Sequence, residues 1–359
     1  MVIRMKKRAV MLACVAIVMI LAACGTQTVR VERTVFALDT FVHVQIYGAR
    51  AEEAMQMVVD EVHRFERLFS PTDARSDVRR VNDGAGAWVE VAPETLELLE
   101  VALDLFEQTE GTFSPALGTL IAAWGFQDEA LHMSLEDQAT IAAWGEQSEA
   151  LRVPLEDELA DLLEAISVGE IVLGDGMVFV PIGTALDFGG IAKGYMARVL
   201  MERLQAYEID AAMISLGGDV SIYGTRAGGA AWRIALEDPL RGGRLGVLTL
   251  SDTSIHTSGR TERYLSGADG ARFHHILDPR TGFPAGGDLL SVAVVAEDAV
   301  LGDALATALL VMGLDRARAF VDGMDGVSVI LVTLDGVVYA SASLRDVFEL
   351  EREGTVRLI

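Results

Sequence analysis

Apolar residues recur along this chain with two different periods. From Ala51 to Phe69 the apolar positions Met55, Val58, Val59, Val62, Phe65, Leu68 and Phe69 fall mostly three or four apart, which predicts an amphipathic helix. Pro93 opens a second helix through Glu107, ending near Gly111. Val35 to Tyr47 alternates apolar and polar residues over its second half and is predicted to be one strand. Strands and turns follow from Ser167 to Val180, and a Gly-rich turn leads into a helix over Ile191–Tyr207. Ala211–Tyr223 and Trp232–Leu250 predict strand pairs, Thr253–Pro284 a hairpin-like stretch, Leu290–Ala296 a strand, and Ala299–Met312 a helix. Val327–Leu334 with Gly336–Ala340 predicts a final β-hairpin. Strands and helices do not alternate regularly. That pattern predicts an α+β fold, one compact two-lobed body with mixed or antiparallel sheets and flanking helices, rather than a doubly wound sheet.

Two segments fall outside this pattern. Arg4, Lys6, Lys7 and Arg8 precede an uncharged apolar run from Ala9 to Ala23, the layout of a secretory signal and short for a membrane span. The run closes on Leu21-Ala22-Ala23-Cys24, which looks like the lipobox of bacterial lipoproteins. The expected organisation is a signal over 1–23, lipidated Cys24 with a polar tether through residue 33, and a globular body over 34–359. Lipid at Cys24 would hold the exported body against the bacterial membrane, on its periplasmic or extracellular face. The second segment is a tandem duplication: IAAWGFQDEALHMSLED (121–137) recurs as IAAWGEQSEALRVPLED (141–157), with twelve of seventeen positions identical. Two copies are too few for a solenoid, and a lengthened surface segment is the reading adopted here.

Composition narrows the function classes. Of the two cysteines, Cys14 lies within the segment to be removed, so no disulfide framework is available. Stability must come from a core, for which the 51% hydrophobic content suffices. The formal net charge of -24 excludes nucleic acid as a partner and disfavours docking on anionic head groups. An anionic small molecule remains compatible where a metal and backbone amides supply local positive charge.

Three motifs carry candidate chemistry. Leu186-Asp187-Phe188-Gly189-Gly190-Ile191-Ala192-Lys193-Gly194-Tyr195 sets two glycines before a helix start, where N–H groups can face an anion. Lys193 in the first turn opposes the helix dipole, and an anionic ligand would account for it; a plain glycine turn with a surface lysine is the alternative. His274-His275-Ile276-Leu277-Asp278-Pro279-Arg280-Thr281-Gly282 either presents a His/Asp acid–base pair or is a turn capped by Asp278. In Gly302-Asp303-Ala304-Leu305-Ala306-Thr307-Ala308 the side chains of Asp303 and Thr307 share one helix face, a hard-oxygen pair suited to magnesium; a helix cap is the alternative for Asp303.

With SLGGD (Ser215–Asp219) and TSG (Thr257–Gly259), in this order and spacing, these motifs resemble the ApbE family of FAD:protein FMN transferases. The resemblance runs from about Val35 to the end apart from the duplication, and implies an ApbE-like, T-fold-like body. It implies that Asp187 and Lys193 contact FAD, and that Mg2+ is held by Asp303, Thr307 and the carbonyls of Gly190 and Val300. It further implies that His275, or a nearby carboxylate, takes the acceptor's proton and that Ile276 lines the flavin site. The sequence departs from the family at Leu38 (in Leu38-Asp39-Thr40), at Thr72 and over Thr112-Phe113-Ser114, positions that resemble FAD contacts.

The expected reaction is Mg2+-dependent transfer of FMN from FAD to a Ser or Thr hydroxyl of an acceptor protein, releasing AMP. Asp303 and His275 carry it, and the acceptors implied are membrane-associated redox subunits. Rival readings are an FAD pyrophosphatase releasing FMN and AMP, a non-catalytic flavin-binding lipoprotein, and a transporter's substrate-binding lipoprotein.

Overall fold

The computed structural model describes residues 29–126, 153–226, 228–261, 264–266 and 271–359. The signal segment, Cys24 and most of the duplication lie outside the described residues. In chain order the elements are β1 (Arg30–Ala37), β2 (Thr40–Tyr47), α1 (Ala51–Phe69), α2 (Asp77–Asp83), β3 (Trp88–Glu90), α3 (Pro93–Gln108), α4 (Gly118–Trp124) and α5 (Glu156–Ala165). Then come β4 (Val172–Gly174), β5 (Met177–Phe179), α6 (Ala192–Gln205), β6 (Ala211–Leu216), β7 (Asp219–Gly224), β8 (Trp232–Glu237), β9 (Arg244–Leu250) and β10 (Thr253–Gly259). The chain continues through β11 (Tyr264–Ser266), β12 (Arg272–His274), β13 (Leu289–Ala296), α7 (Ala299–Met312), α8 (Leu314–Val321), β14 (Val327–Thr333), β15 (Val338–Ala340), β16 (Phe348–Leu350) and β17 (Val356–Leu358).

The centre is a nine-stranded sheet in the order β1-β2-β6-β7-β10-β13-β14-β15-β17. Its pairings are antiparallel except for the parallel β15–β17 pair. Alternation along the strands feeds two cores. Val292, Val294, Val329 and Leu331 join the cluster beneath α1, α6 and α7. Ala293, Val295, Ile330 and Val332 face the cluster shared with β8 and β9. Burial on both faces explains why β13 and β14 read as nearly continuous apolar runs. The α+β class and the mixed sheet agree with the expectation from the sequence.

Three stretches differ. The stretch from Val35 to Tyr47 is a hairpin in which Ala37 pairs with Thr40 across the two-residue turn Leu38-Asp39. Both turn residues have positive φ, 50° and 54°, the geometry that matches strand twist but usually calls for Asn-Gly. The expected tether through residue 33 is already strand from Arg30, which pairs with Tyr47. Within Thr253–Pro284, β10 belongs to the large sheet, β11 pairs antiparallel with β12, and Leu277 forms an antiparallel bridge with Pro284.

Two helices position the site. Asp298 caps α7, accepting from Val300 N at 2.9 Å. From there α7 is buried over nearly its whole length. Gly194 in α6 permits a close crossing: a Cβ there would lie 2.2 Å from the Ala299 carbonyl oxygen and 2.8 Å from Asp303 Cβ. A small third cluster, including Leu120, Trp124, Leu159 and Leu277, steadies the His275 loop, with Trp124 Nε1 donating to Gly282 O at 2.7 Å.

Candidate active site

Segments far apart in sequence converge on one cavity of about 220 Å³. Leu38 and Thr40 enter from the first hairpin, and Thr112, Phe113 and Ser114 from the loop after α3. Asp187, Gly189, Gly190 and Lys193 come from the glycine loop and α6, Thr257 and Ser258 from β10, His275 and Ile276 from the segment after β12, and Thr307 from α7. Asp303 (3% exposed) joins this wall through its ion pair with Lys193, and Val300, about one turn earlier on α7, is fully buried. Thr72 is not part of it; its hydroxyl lies 3.2 Å from Ser70 Oγ.

The local sequence explains each placement. Leu38 N donates to Glu66 of α1, which fastens the turn that carries Leu38 to the cavity. Phe113 N donates to Thr109 Oγ1 at 3.2 Å, and Thr112 Oγ1 to Thr109 O at 2.9 Å, so the loop is held from its own helix end. The adjacent histidines separate. His274 is buried with Nε2 3.1 Å from Ala285 O, whereas His275 reaches the cavity. Burial and nearby Arg260 push His274 down to about 4, against the hydrogen bond to Ala285. Asp278 is the turn cap: Oδ1 accepts from Arg280 N at 3.0 Å, and Oδ2 is paired with Arg280 Nη2 at 2.7 Å.

Lys193 does not stand free at the cavity wall. Its Nζ donates to Asp303 Oδ1 at 2.8 Å and lies 3.2 Å from Asp219 Oδ2. Burial alone would lower this ammonium; the two carboxylates overcome that and hold it above the ordinary lysine range. Asp219 is held low: burial is the largest influence and opposes its charge, but Lys193, His256 and the Thr257 N–H together outweigh it. Asp303 Oδ2 accepts Gly194 N at 2.8 Å, and Asp219 Oδ1 accepts Thr257 N at 2.8 Å. Asp187 accepts Gly189 N at 2.8 Å, while burial and nearby Asp39 raise its carboxyl.

Donor chemistry tests whether the implied magnesium fits. Asp303 and Thr307 lie one turn apart on α7, and a Cβ on Gly190 would lie 3.5 Å from Thr307 Oγ1, so all three converge. Thr307 Oγ1 is 3.1 Å from Ser258 Oγ. Two carboxylates against one ammonium leave the cluster one negative charge, and the donors are hard oxygens. These residues fit a small divalent cation.

The sequence profile of the ApbE family matches residues 38–331. The chain belongs to the ApbE family. It is 31% identical over 332 residues to the FAD:protein FMN transferase of Treponema pallidum (strain Nichols), covering 88% of each chain. It is 30% identical over 322 residues to the Rhodobacter capsulatus protein of the same name, covering 88% of this chain and 58% of that one. The crystal structure of the ApbE protein of Thermotoga maritima superposes with a TM-score of 0.77 at 33% identity, covering 90% of this chain and 100% of that one. The family and transferase class expected from the motifs are thereby borne out.

Sequence reasoning missed His256 and the roles of Gly194 and Asp219. His256 is fully buried on β10, with Nδ1 3.7 Å from Asp219 Oδ2 and no hydrogen-bond partner for either ring nitrogen among the described residues. No spacing rule marks a lone histidine in a strand. SLGGD marked Asp219 as part of a motif but assigned it no chemistry.

Proposed function

We propose that this chain is an FAD:protein FMN transferase that moves FMN from FAD to a Ser or Thr hydroxyl of an acceptor protein and releases AMP. One observation carries the reading: Asp187, Gly190, Lys193, His275, Ile276 and Thr307 border a single cavity, with Asp303 joined to its wall through Lys193. Relatives that carry the transferase name support it.

Asp303, Thr307 and the carbonyls of Gly190 and Val300 would hold the magnesium. When bound, it neutralises charge on the pyrophosphate and on departing AMP. Ile276, Leu38 and Phe113 supply apolar wall for the ring system. His275 accepts the proton of the acceptor hydroxyl as its oxygen attacks the FMN phosphorus. The bond from that phosphorus to the bridging oxygen breaks, and AMP leaves with the oxygen. With the metal absent, Lys193 holds the adjoining carboxylates in place.

The test incubates the protein with FAD, Mg2+ and a candidate acceptor, then seeks flavin fluorescence on the denatured acceptor. A fluorescent band lost with EDTA supports the reading. Asp303→Ala should abolish transfer, and His275→Ala should slow it about 10²–10⁴-fold. Full activity of Asp303→Ala would sink the metal role, and AMP with free FMN but no labelled acceptor would make this a pyrophosphatase.

We further propose export and anchoring through lipid on Cys24, facing membrane-associated redox subunits as acceptors. Among the described residues, no helix is long and apolar enough to cross a membrane. Cys24→Ala should leave the protein in the soluble fraction without incorporated fatty acid; an unchanged membrane fraction overturns the anchor.

A further inference from the structure

Asp219, His256 and Asp303 bring one ligand atom each to within 4.8 Å of one another, all buried. That cluster resembles a metal site but already contains a cation, because Lys193 Nζ stands between the two carboxylates. The ammonium and a divalent metal would compete for Asp303 Oδ1. Two positive charges sharing one oxygen would repel strongly in a site this buried. The second Asp303 oxygen is committed to Gly194 N at 2.8 Å, so the carboxylate cannot simply turn to offer it. Asp219 is placed differently. Its Oδ1 is anchored by Thr257 N at 2.8 Å, while Oδ2 is buried and completes no hydrogen bond among the described residues. That oxygen is already ion-paired with Lys193 at 3.2 Å without an aligned hydrogen bond, so the ammonium can close on it once Asp303 is taken.

We propose that Asp219 is a positioning residue that receives the Lys193 ammonium when a metal takes Asp303 Oδ1, so that Lys193 exchanges between the two carboxylates as the metal binds and leaves. The inference rests on the metal role of Asp303 proposed above. Lys193 needs only to exchange a 2.8 Å contact for one now at 3.2 Å, and its charge never leaves the buried cluster. His256 backs Asp219 and packs against α7: a Cβ on Gly302 would meet His256 Cδ2 at 2.6 Å. The strand that carries the receiving carboxylate's neighbours is thereby fitted to the helix that carries Asp303.

The experiment is a double-mutant cycle read as Mn2+ affinity by electron paramagnetic resonance on the full-length protein in detergent, with wild type, Asp219→Asn, Lys193→Met and the double variant. Asp219→Asn traps the ammonium on Asp303 and should weaken Mn2+ at least ~10-fold. Charge alone would also weaken it, so the cycle decides. With exchange, Lys193→Met raises affinity far more in the Asp219→Asn background than in wild type, a coupling of at least ~10-fold. Effects that multiply to within about 2-fold overturn the proposal. Should a variant fail to fold, the wild-type crystal structure with Mg2+ decides: Lys193 Nζ should have left Asp303 Oδ1 and closed on Asp219 Oδ2. An ammonium still on Asp303 beside a bound metal overturns the exchange. Absent Mn2+ binding, or binding indifferent to Asp303→Ala, overturns the metal reading and this inference with it. Metal binding that depends on Asp303 but not on Asp219 overturns the exchange alone.

Discussion

Gly194→Ala puts the tightest glycine contact among the described residues to the test. The added Cβ would lie 2.2 Å from the Ala299 carbonyl oxygen, 2.8 Å from Asp303 Cβ and 2.9 Å from the Ala299 carbonyl carbon. Two of these atoms are backbone and the third is the root of a side chain, so no rotamer change relieves the overlap. Helices α6 and α7 must part by about 1 Å, and overpacking of this kind costs about 1–3 kcal/mol. Parting them also stretches the bond from Gly194 N to Asp303 Oδ2, 2.8 Å in the native protein. A hydrogen bond to a charged group contributes about 1.5–3 kcal/mol. Alanine's greater helix propensity returns about 1 kcal/mol. The net loss is on the order of 2–5 kcal/mol, or roughly 4–10 °C in Tm at about 2 °C per kcal/mol for a chain of this size. Thermal unfolding by circular dichroism measures it, with Gly169→Ala as the control, since a Cβ there meets nothing within 4 Å. A displacement of that size at Asp303 should also lower transfer about 10²-fold. A Gly194→Ala protein that melts at or above the wild-type temperature and transfers FMN normally would refute both the packing and the catalytic reasoning.

Two further predictions rest on local electrostatics and strain. His274 is held near 4, mainly by burial, so between pH 6.5 and 4 the unfolded chain binds a proton that the folded protein does not. Its contribution is intact above pH 6.5 and is lost as pH falls through that window, on the order of 3 kcal/mol by pH 4. Urea unfolding across this range should show a shallower acid limb in His274→Gln, and an unchanged slope contradicts the assignment. Asp39 sits at φ 54° in the first hairpin turn and raises the Asp187 carboxyl, after burial. Asp39→Gly relieves the left-handed strain and should stabilise by about 0.5 kcal/mol after the glycine entropy cost. It should also lower the Asp187 pKa, read by carboxyl NMR; a rise would contradict the coupling.

Much of this protein is determined by sequence alone. The stripe from Met55 to Phe69 and the run Ala299–Met312 are helices with the expected limits, because amphipathic or continuously apolar periodicity needs only local backbone geometry. Gly189-Gly190, Thr307 and His275 stand in short motifs, and the fold brings all of them to one cavity, with Asp303 bound to Lys193 on its wall. Other features required the tertiary structure. Leu38-Asp39 turns the chain without glycine, a conformation held by Glu66 from another element, so the hairpin looked like one strand. Only the fold separates His274, sealed against Ala285, from His275 at the cavity. Lys193 read as a free cation for an anionic ligand, yet Asp219 and Asp303 hold it, 26 and 110 positions along the chain. His256 carries no sequence signal, since its burial behind Asp219 exists only once β10 lies beside β7 and beneath α7. Periodicity and spacing encode what one element does by itself. Which charges face each other in a dry interior is decided by how elements distant in sequence pack together.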